Sequence, residues 1–506
     1  MSVAGENLIG GVRVPVPGRG HRRFNPARPS VCVWEGSPTL DAASAAVAAA
    51  RGALSAWSAW PLDRRAAVLR KFAALATARA GDLATIIRDE TGKVTWDALG
   101  EAQLLATKID ITLDPDGPLR RVTGFEVSAA GTRRGACWFR PHGVMAVLGP
   151  FNFPMHLPHG HLAPALLMGN TAVFKPSEKA PASGQALAML WQEALDAEGA
   201  PPGVINLVHG GADVAAKLAG GEGIDGVLFT GSWPVGRRIL EANLDRPGRL
   251  LALEMGGNNA VVILADADLG LAVRECVRAA FISTGQRCTC TRRVIVSREI
   301  ADRVIPALCK AASALIVGDP AATHPVFMGP MISDEARAGV LAAQARLAKA
   351  GGEVLVPMTP TDGGTGGWYM TPGVMRVEQF TLDGGAGADE EVFGPCLRVS
   401  VADSFEEALA QVNATRFGLA ASLFTRDAAA MERFRREAQA GCVNVNTGTA
   451  GASSRLPFGG LGRSGNHRPA GAFSLDYCAY AVAGLEEHGE GATLPPGMHV
   501  DPRWLA

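Results

Sequence analysis

Cys288, in Ser283-Thr284-Gly285-Gln286-Arg287-Cys288-Thr289-Cys290, and Glu254, in Leu253-Glu254-Met255-Gly256-Gly257-Asn258, give one chain a candidate thiolate nucleophile and, 34 positions upstream, a candidate carboxylate base. A thiol attacks an electrophilic carbon once its proton is gone, and a helix N-terminus or a nearby cation eases that loss. A carboxylate beside it can then activate water to release the acyl group. The pair points to covalent catalysis through a thioester. Singly, the cysteine also reads as a small buried hydrophobe and the glutamate as a solvated carboxylate.

Such a pair needs a scaffold to hold it. Val144-Met145-Ala146-Val147-Leu148 is a short apolar strand ending in Gly149-Pro150, followed by a helical stretch from Leu157 and a second strand at Thr171–Lys175. Strand, helix and strand within about thirty residues is the βαβ signature. Residues 204–208 and Gly226–Thr230 continue it, with a helix over 183–197 between. These strands argue for an open parallel sheet with binding groups at its carboxyl ends. Upstream, 41–58 and 63–90 carry apolar residues at helical spacing, with Pro61 between them and Asp63 as a cap. Residues 123–141 look like a hairpin arm.

The strand ending at Thr230 runs into Gly231-Ser232-Trp233-Pro234-Val235-Gly236 and a helical stretch. Glycine lets the backbone approach a phosphate, and the first helical turn attracts anions, so this reads as a pyrophosphate cradle or as a plain strand-to-helix turn. Lys175 and Glu178, at another strand end, suit ribose hydroxyls or form an ordinary loop pair. A carboxylate on the adenosine ribose would repel a 2′-phosphate and favour NAD.

Composition limits the alternatives. The 506 residues exceed one hydrophobic core, which favours two or three domains. With 48 basic and 49 acidic residues there is no field to hold a nucleic acid backbone or an anionic membrane. Nine scattered cysteines without a secretory start suit a reducing compartment, and neither a signal pattern nor a membrane-length apolar run is present, so the cytoplasm is expected. Cys288 and Cys290 lack a second ligand pair, and no metal is expected.

Gly149-Pro150-Phe151-Asn152-Phe153-Pro154, Phe174-Lys175-Pro176-Ser177-Glu178, Phe229-Thr230-Gly231-Ser232, the Glu254 and Cys288 motifs, Glu390-Glu391-Val392-Phe393-Gly394-Pro395 and Pro457-Phe458-Gly459-Gly460 occur in the order and spacing of the aldehyde dehydrogenase superfamily. The chain resembles that superfamily over roughly residues 30–487. Within it, His156-Leu157-Pro158, Gly160-His161, Asn258-Asn259, Arg292-Arg293 and Gly465-Asn466-His467-Arg468-Pro469 resemble the branch of N-succinylglutamate 5-semialdehyde dehydrogenases, which act in arginine breakdown.

The resemblance implies Cys288 as nucleophile, Glu254 as base for deacylation, and an oxyanion held by the Asn152 amide and the Cys288 backbone N–H. It implies NAD held by Lys175 and Glu178, by Gly231, Ser232 and Gly236, and by Glu391 with Phe393 packing nearby; a loop carboxylate and a core aromatic are the plainer readings of those last two. An acidic aldehyde needs cationic donors. Arg287, Arg455, His467 and Arg468 are candidates, with His156 and His159 near Asn152. Val445 stands where the resembled branch has Trp, and Thr447-Gly448 where it has Lys-Pro. The substrate is therefore that semialdehyde or another acidic or aliphatic aldehyde. An acyl-CoA-forming relative is disfavoured by Glu254, and a non-catalytic protein by Cys288, Asn152 and Glu254 together.

The fold implied is α/β, aldehyde dehydrogenase-like, with two parallel-sheet domains and a small β oligomerisation arm. The expected divisions are 1–122 with 142–253 for NAD, 254–440 for catalysis, 123–141 with 471–487 for the arm, 441–470 as a substrate-contacting segment and 488–506 as an extension. In the arm, Tyr477, Tyr480 and Val482 alternate as a strand. A homodimer or homotetramer is expected.

Overall fold

Apolar runs such as Val144–Leu148 and Asn259–Ile263 are buried along their whole length in the computed structural model, which describes residues 3–129, 133–487 and 494–505. Burial on both faces is what a parallel sheet covered by helices demands. In the first sheet the strands lie in the order Leu250–Glu254, Gly226–Thr230, Val144–Leu148, Thr171–Lys175, Ile205–Leu207, Glu6–Ile9 and Val12–Pro15. The first five run parallel and the last two antiparallel. From Val144–Leu148 the chain builds outward to Ile205–Leu207, then returns to add Gly226–Thr230 on the other side. That reversal opens a crevice at the carboxyl ends of these strands, where Gly149, Lys175 and Gly231 stand.

A second seven-stranded sheet runs in the order Glu353–Val356, Gly373–Arg376, Cys396–Ala402, Thr291–Ser297, Asn259–Ile263, Ala420–Phe424 and Cys442–Val445, antiparallel only at its first pair. Glu254 ends an edge strand of the first sheet, and Asn259 begins a strand of the second five residues later. Helices cover both faces of each sheet. Phe72 stacks on Trp191 at 4.1 Å between helices Leu62–Ala78 and Pro181–Ala197, in the core over one face of the first sheet.

A three-stranded antiparallel sheet, Phe125–Ser128, Arg133–Pro141 and Ala479–Glu487, carries exposed Phe125, Val127, Trp138, Tyr480 and Leu485. Its last strand begins later than the alternation of Tyr477, Tyr480 and Val482 suggests. Ser474–Tyr477 is a helical turn, and Tyr477 is buried with its hydroxyl on the ring of His161. The helical run over 63–90 is two helices, Leu62–Ala78 and Ala80–Thr91, broken where Arg79 leaves helical dihedrals; Pro61 takes the capping position and Asp63 falls in the first turn. Of the C-terminal extension, residues 488–493 and 506 lie outside the described part, and 494–505 lie near the surface with a short turn at Pro502–Leu505. Among the described residues no helix is long and apolar enough to cross a membrane.

Helix Thr95–Thr112 has no counterpart in the sequence reading, although Ala98, Ala102, Leu105 and Ile109 mark its buried face at helical spacing. It anchors the site. Its buried Glu101 accepts Lys93 Nζ at 2.5 Å and the backbone N–H groups of Met155 and His156 at 3.0 and 3.1 Å, so one carboxylate fixes the start of helix His156–Leu167. Lys93 also lies 3.5 Å over the Phe153 ring. Glu101→Ala leaves Lys93 buried and uncompensated and two amides unpaired, so it should lower stability by about 3–5 kcal/mol. Denaturant unfolding monitored by tryptophan fluorescence reads this directly, and a loss below about 1 kcal/mol, the scale of an exposed pair, would contradict it.

Candidate active site

The segment before Cys288 is bent by three successive left-handed residues, Ser283 (φ 52°), Thr284 (φ 57°) and Gly285 (φ 70°). A serine and a threonine stay in this region only where their surroundings hold them. Ser283 Oγ donates to Asp97 at 2.5 Å and Thr284 Oγ1 to the Gly329 carbonyl at 2.8 Å. At Gly285 a side chain is impossible, because its Cβ would fall 2.2 Å from the Gly394 carbonyl oxygen. Asn259 Nδ2 then donates to the carbonyls of Cys288 and Cys290 at 2.7 and 2.8 Å. Cys288 is held half-buried, and its own backbone N–H has no acceptor among the described residues.

Glu254 ends the edge strand Leu250–Glu254, and residues 464–466 cover that edge. Asn466 acts as a short strand: its Oδ1 accepts Leu253 N–H at 3.0 Å and its Nδ2 donates to Leu251 at 2.8 Å. Glu254 itself bridges Gly465, and the next residue, Met255, donates to Ser464. The carboxylate is buried, with Oε2 lacking a hydrogen-bond partner among the described residues. Burial pushes its pKa well above the usual carboxylate range. Burial, and then the Glu391 and Glu254 carboxylates, push the Cys288 thiol up to about 12.

Cys288 and Glu254 line one cavity of about 170 Å³. Helix Thr95–Thr112 supplies Leu104 and Lys108, helix His156–Leu167 supplies His156, Leu157, Gly160 and His161, and residues 451–454 and Phe458 close another side. Arg287 also lines it, but its guanidinium is ion-paired to Asp97 at 2.5 Å. Arg455, His467 and Arg468 are exposed and do not line it; His159 is buried, stacked on Phe72 and bonded to the Leu105 carbonyl. Val445 and Thr447 do not line it either: Thr447 is exposed, and the loop is tied down by Ser422 Oγ donating to its carbonyl and by Gly448 N–H donating to Glu275. Asn152 is buried beside Ser283, Thr284 and Gln286, bordering a neighbouring cavity, and its amide makes no hydrogen bond among the described residues. The sequence reading missed Lys108 because it missed the helix that carries it.

The other candidates gather at the crevice of the first sheet. Lys175, buried, donates to the Pro176 carbonyl at 2.7 Å and lies 3.9 Å from Glu178, which is exposed. Gly231 and Gly236 flank the start of helix Trp233–Glu241. Close packing already requires both, since a Cβ would fall 2.3 Å from the Phe229 ring or from Met255 Sδ. The backbone N–H groups of Ser232 and Trp233 at that helix start have no acceptor among the described residues, which fits an anion there. Glu391 accepts Gly257 N–H at 3.2 Å and packs over Gly256, where a Cβ would fall 1.9 Å from its carboxylate. Phe393 lies beside Phe151, 6.0 Å between ring centres, and under Arg292. A buried cation, a ribose-type carboxylate and free amides along one crevice suit a dinucleotide.

The aldehyde dehydrogenase family model matches residues 18–482. The chain is 43% identical over 497 residues to the N-succinylglutamate 5-semialdehyde dehydrogenase of Paraburkholderia xenovorans, covering 97% of this chain and 99% of that one. It is 44% identical over 440 residues to N-succinylglutamate 5-semialdehyde dehydrogenase 1 of Caulobacter vibrioides, covering 87% and 90%. Among solved structures, lactaldehyde dehydrogenase from Escherichia coli superposes with a TM-score of 0.89 at 29% identity, covering 96% of this chain and 100% of that one. Likeness of this extent, with a cysteine and a buried glutamate on one cavity, makes the chain a member of the aldehyde dehydrogenase family, an oxidoreductase of aldehydes that works with a nicotinamide cofactor.

Proposed function

We propose that this enzyme oxidises N-succinyl-L-glutamate 5-semialdehyde to N-succinyl-L-glutamate with NAD in the cytoplasm, as a step of arginine breakdown. The observation that carries the substrate is identity of 42–44% over most of the chain to several enzymes named for that aldehyde. NAD rather than NADP rests on Glu178, whose exposed carboxylate at the strand end would repel a 2′-phosphate. Nine free cysteines suit a reducing compartment. The first sheet builds the cofactor domain and the second the catalytic domain. The arm, with its exposed aromatic and aliphatic side chains, supports a homo-oligomer.

Cys288 releases its thiol proton to solvent and adds through Sγ as the thiolate to the aldehyde carbon, and the resulting oxyanion is held by the backbone N–H of Cys288 with the Asn152 amide. Lys175 and Glu178, the amides of Ser232 and Trp233, and Glu391 with Phe393 hold the cofactor. The chemistry a bound nicotinamide supplies is acceptance of the hydride, which leaves the acyl group on Cys288 as a thioester. Glu254 then takes a proton from water as that water attacks the thioester carbon, the C–S bond breaks, and Glu254 passes the proton to the departing sulfur, so the acid leaves with the thiol and the carboxylate restored. Oε2 of Glu254, which has no hydrogen-bond partner among the described residues, receives that proton.

The test is NADH formation with N-succinylglutamate 5-semialdehyde beside succinate semialdehyde, glutamate semialdehyde and a neutral medium-chain aldehyde, each with NAD and with NADP. The succinylated substrate should lead in kcat/KM by about 100-fold, roughly 2.7 kcal/mol of transition-state discrimination, and NAD should be preferred. Equal efficiency across the four aldehydes would remove the substrate assignment and leave the family chemistry intact.

A further inference from the structure

One wall of the cavity over Cys288 takes no part in the chemistry above. Leu104 and Lys108 stand four residues apart on helix Thr95–Thr112 and so share a face, as His156 and Gly160 do on helix His156–Leu167, and all four line the cavity. Lys108 is 3% exposed. Its ammonium donates to the Gly471 carbonyl at 2.7 Å and to Ser474 Oγ at 3.3 Å, two neutral acceptors, which leaves one N–H unused. The other cations here are matched: Lys93 to Glu101 and Arg287 to Asp97, each at 2.5 Å. Among the described residues Lys108 has no such carboxylate.

A buried ammonium without a counterion is costly, and burial pushes Lys108 down to about 8. A carboxylate entering the cavity would remove that cost and find a donor waiting. His156 offers a second one: neither ring nitrogen has a hydrogen-bond partner among the described residues, and Nδ1 is wholly buried. Burial holds His156 near pKa 3, so it acts as a neutral donor. At Gly160 a Cβ would meet nothing within 4 Å, so open space adjoins this helix where it lines the cavity.

We infer that Lys108, with a hydrogen bond from His156, is the seat for a carboxylate of the aldehyde substrate and the residue that makes this cavity select acidic over neutral aldehydes. The inference rests on the substrate reading given above and names the group that enforces it. Of the titratable groups facing Lys108, His159 is stacked and bonded, His161 lies between Tyr477 and Thr230, and burial raises the Cys478 thiol, so none supplies the missing anion.

The experiment measures kcat and KM for N-succinylglutamate 5-semialdehyde and for heptanal in wild type, Lys108→Met and Lys108→Arg, at pH values on both sides of 8. The ratio of the two kcat/KM values does not depend on how much of a variant folds, and it cancels the titration of Cys288 and Glu254. In Lys108→Met the ratio should fall by about 100-fold, chiefly through KM of the acidic substrate. The wild-type ratio should fall as pH rises through about 8, since the ammonium carries its charge only below that pKa. In Lys108→Arg, whose guanidinium stays charged, the acidic preference should persist and the pH dependence should vanish. A Lys108→Met ratio equal to wild type overturns the inference while leaving the substrate reading standing. A wild type with no acidic preference overturns both. Should Lys108→Met not fold, the wild-type profile decides: a ratio flat through pH 8 overturns the inference.

Discussion

Replacing Cys288 with Ala should abolish aldehyde oxidation, lowering kcat/KM by about 10⁴-fold or more, and Cys288→Ser should fall nearly as far. Of the described residues that line the cavity, only Cys288 carries a thiol; Thr230, Thr289, Ser453 and Ser454 offer hydroxyls, which stay protonated far above neutral pH. The site is half-buried and alanine is smaller than cysteine, so the fold should tolerate the change. Steady-state NADH formation checks the rate, and mass spectrometry of enzyme quenched during turnover should find the acyl adduct on the Cys288 peptide of wild type alone. More than about 1% of wild-type activity in the alanine variant, roughly 2.7 kcal/mol of lost stabilisation, would remove Cys288 as the nucleophile.

The resting site holds the proposed nucleophile as a thiol. Burial and two nearby carboxylates push Cys288 up to about 12, so the thiolate fraction grows with pH throughout the working range. Alkylation by iodoacetamide without cofactor should therefore be slow near neutrality and accelerate as pH rises.

Cys288 and Glu254 were legible in the sequence because their residue types carry the chemistry and their motifs keep the order and spacing of a known family; the structure puts Glu254 at a strand end and Cys288 in the loop after a left-handed turn. The crevice was legible from apolar runs: Lys175 ends one and Gly231 directly follows another, and both runs are buried along their whole length. The wall opposite Cys288 was not. Helix Thr95–Thr112 buries Asp97, Glu101 and Lys108 among its apolar residues, and these charges blur the helical stripe: Arg287 and Lys93 pair the first two from outside the helix, and Lys108 is held by neutral acceptors. Arg287 was chosen from the Cys288 motif, and Arg455 and His467 from the segment 441–470 that the resemblance assigns to the substrate. Which cation faces the cavity depends on pairings made across long separations: Asp97 claims Arg287 over 190 positions, and no local pattern encodes that. The arm's last strand was misplaced at its start because Tyr477 turns inward to His161, a contact between residues 316 positions apart.

Glu254→Gln should separate the two halves of the reaction. The amide keeps the size and shape of the carboxyl but cannot take a proton, so Cys288 still acylates while the thioester waits for unassisted water. Mixed with NAD and substrate, the variant should release a burst of NADH close to one equivalent per active site, followed by a steady rate about 10³-fold below wild type. Hydroxylamine, a nucleophile that attacks a thioester without a general base, should restore much of the steady rate. The pH profile gives an independent reading. Glu254 lies well above the ordinary carboxylate range because it is buried; below that raised pKa it is protonated and cannot serve, so wild-type deacylation should climb with pH and level off above it. In the glutamine variant that climb should be gone. A variant with no burst would mean that Glu254 acts before the acyl group forms, in drawing the proton from Cys288. One that turns over at the full steady rate would mean that another group activates the water.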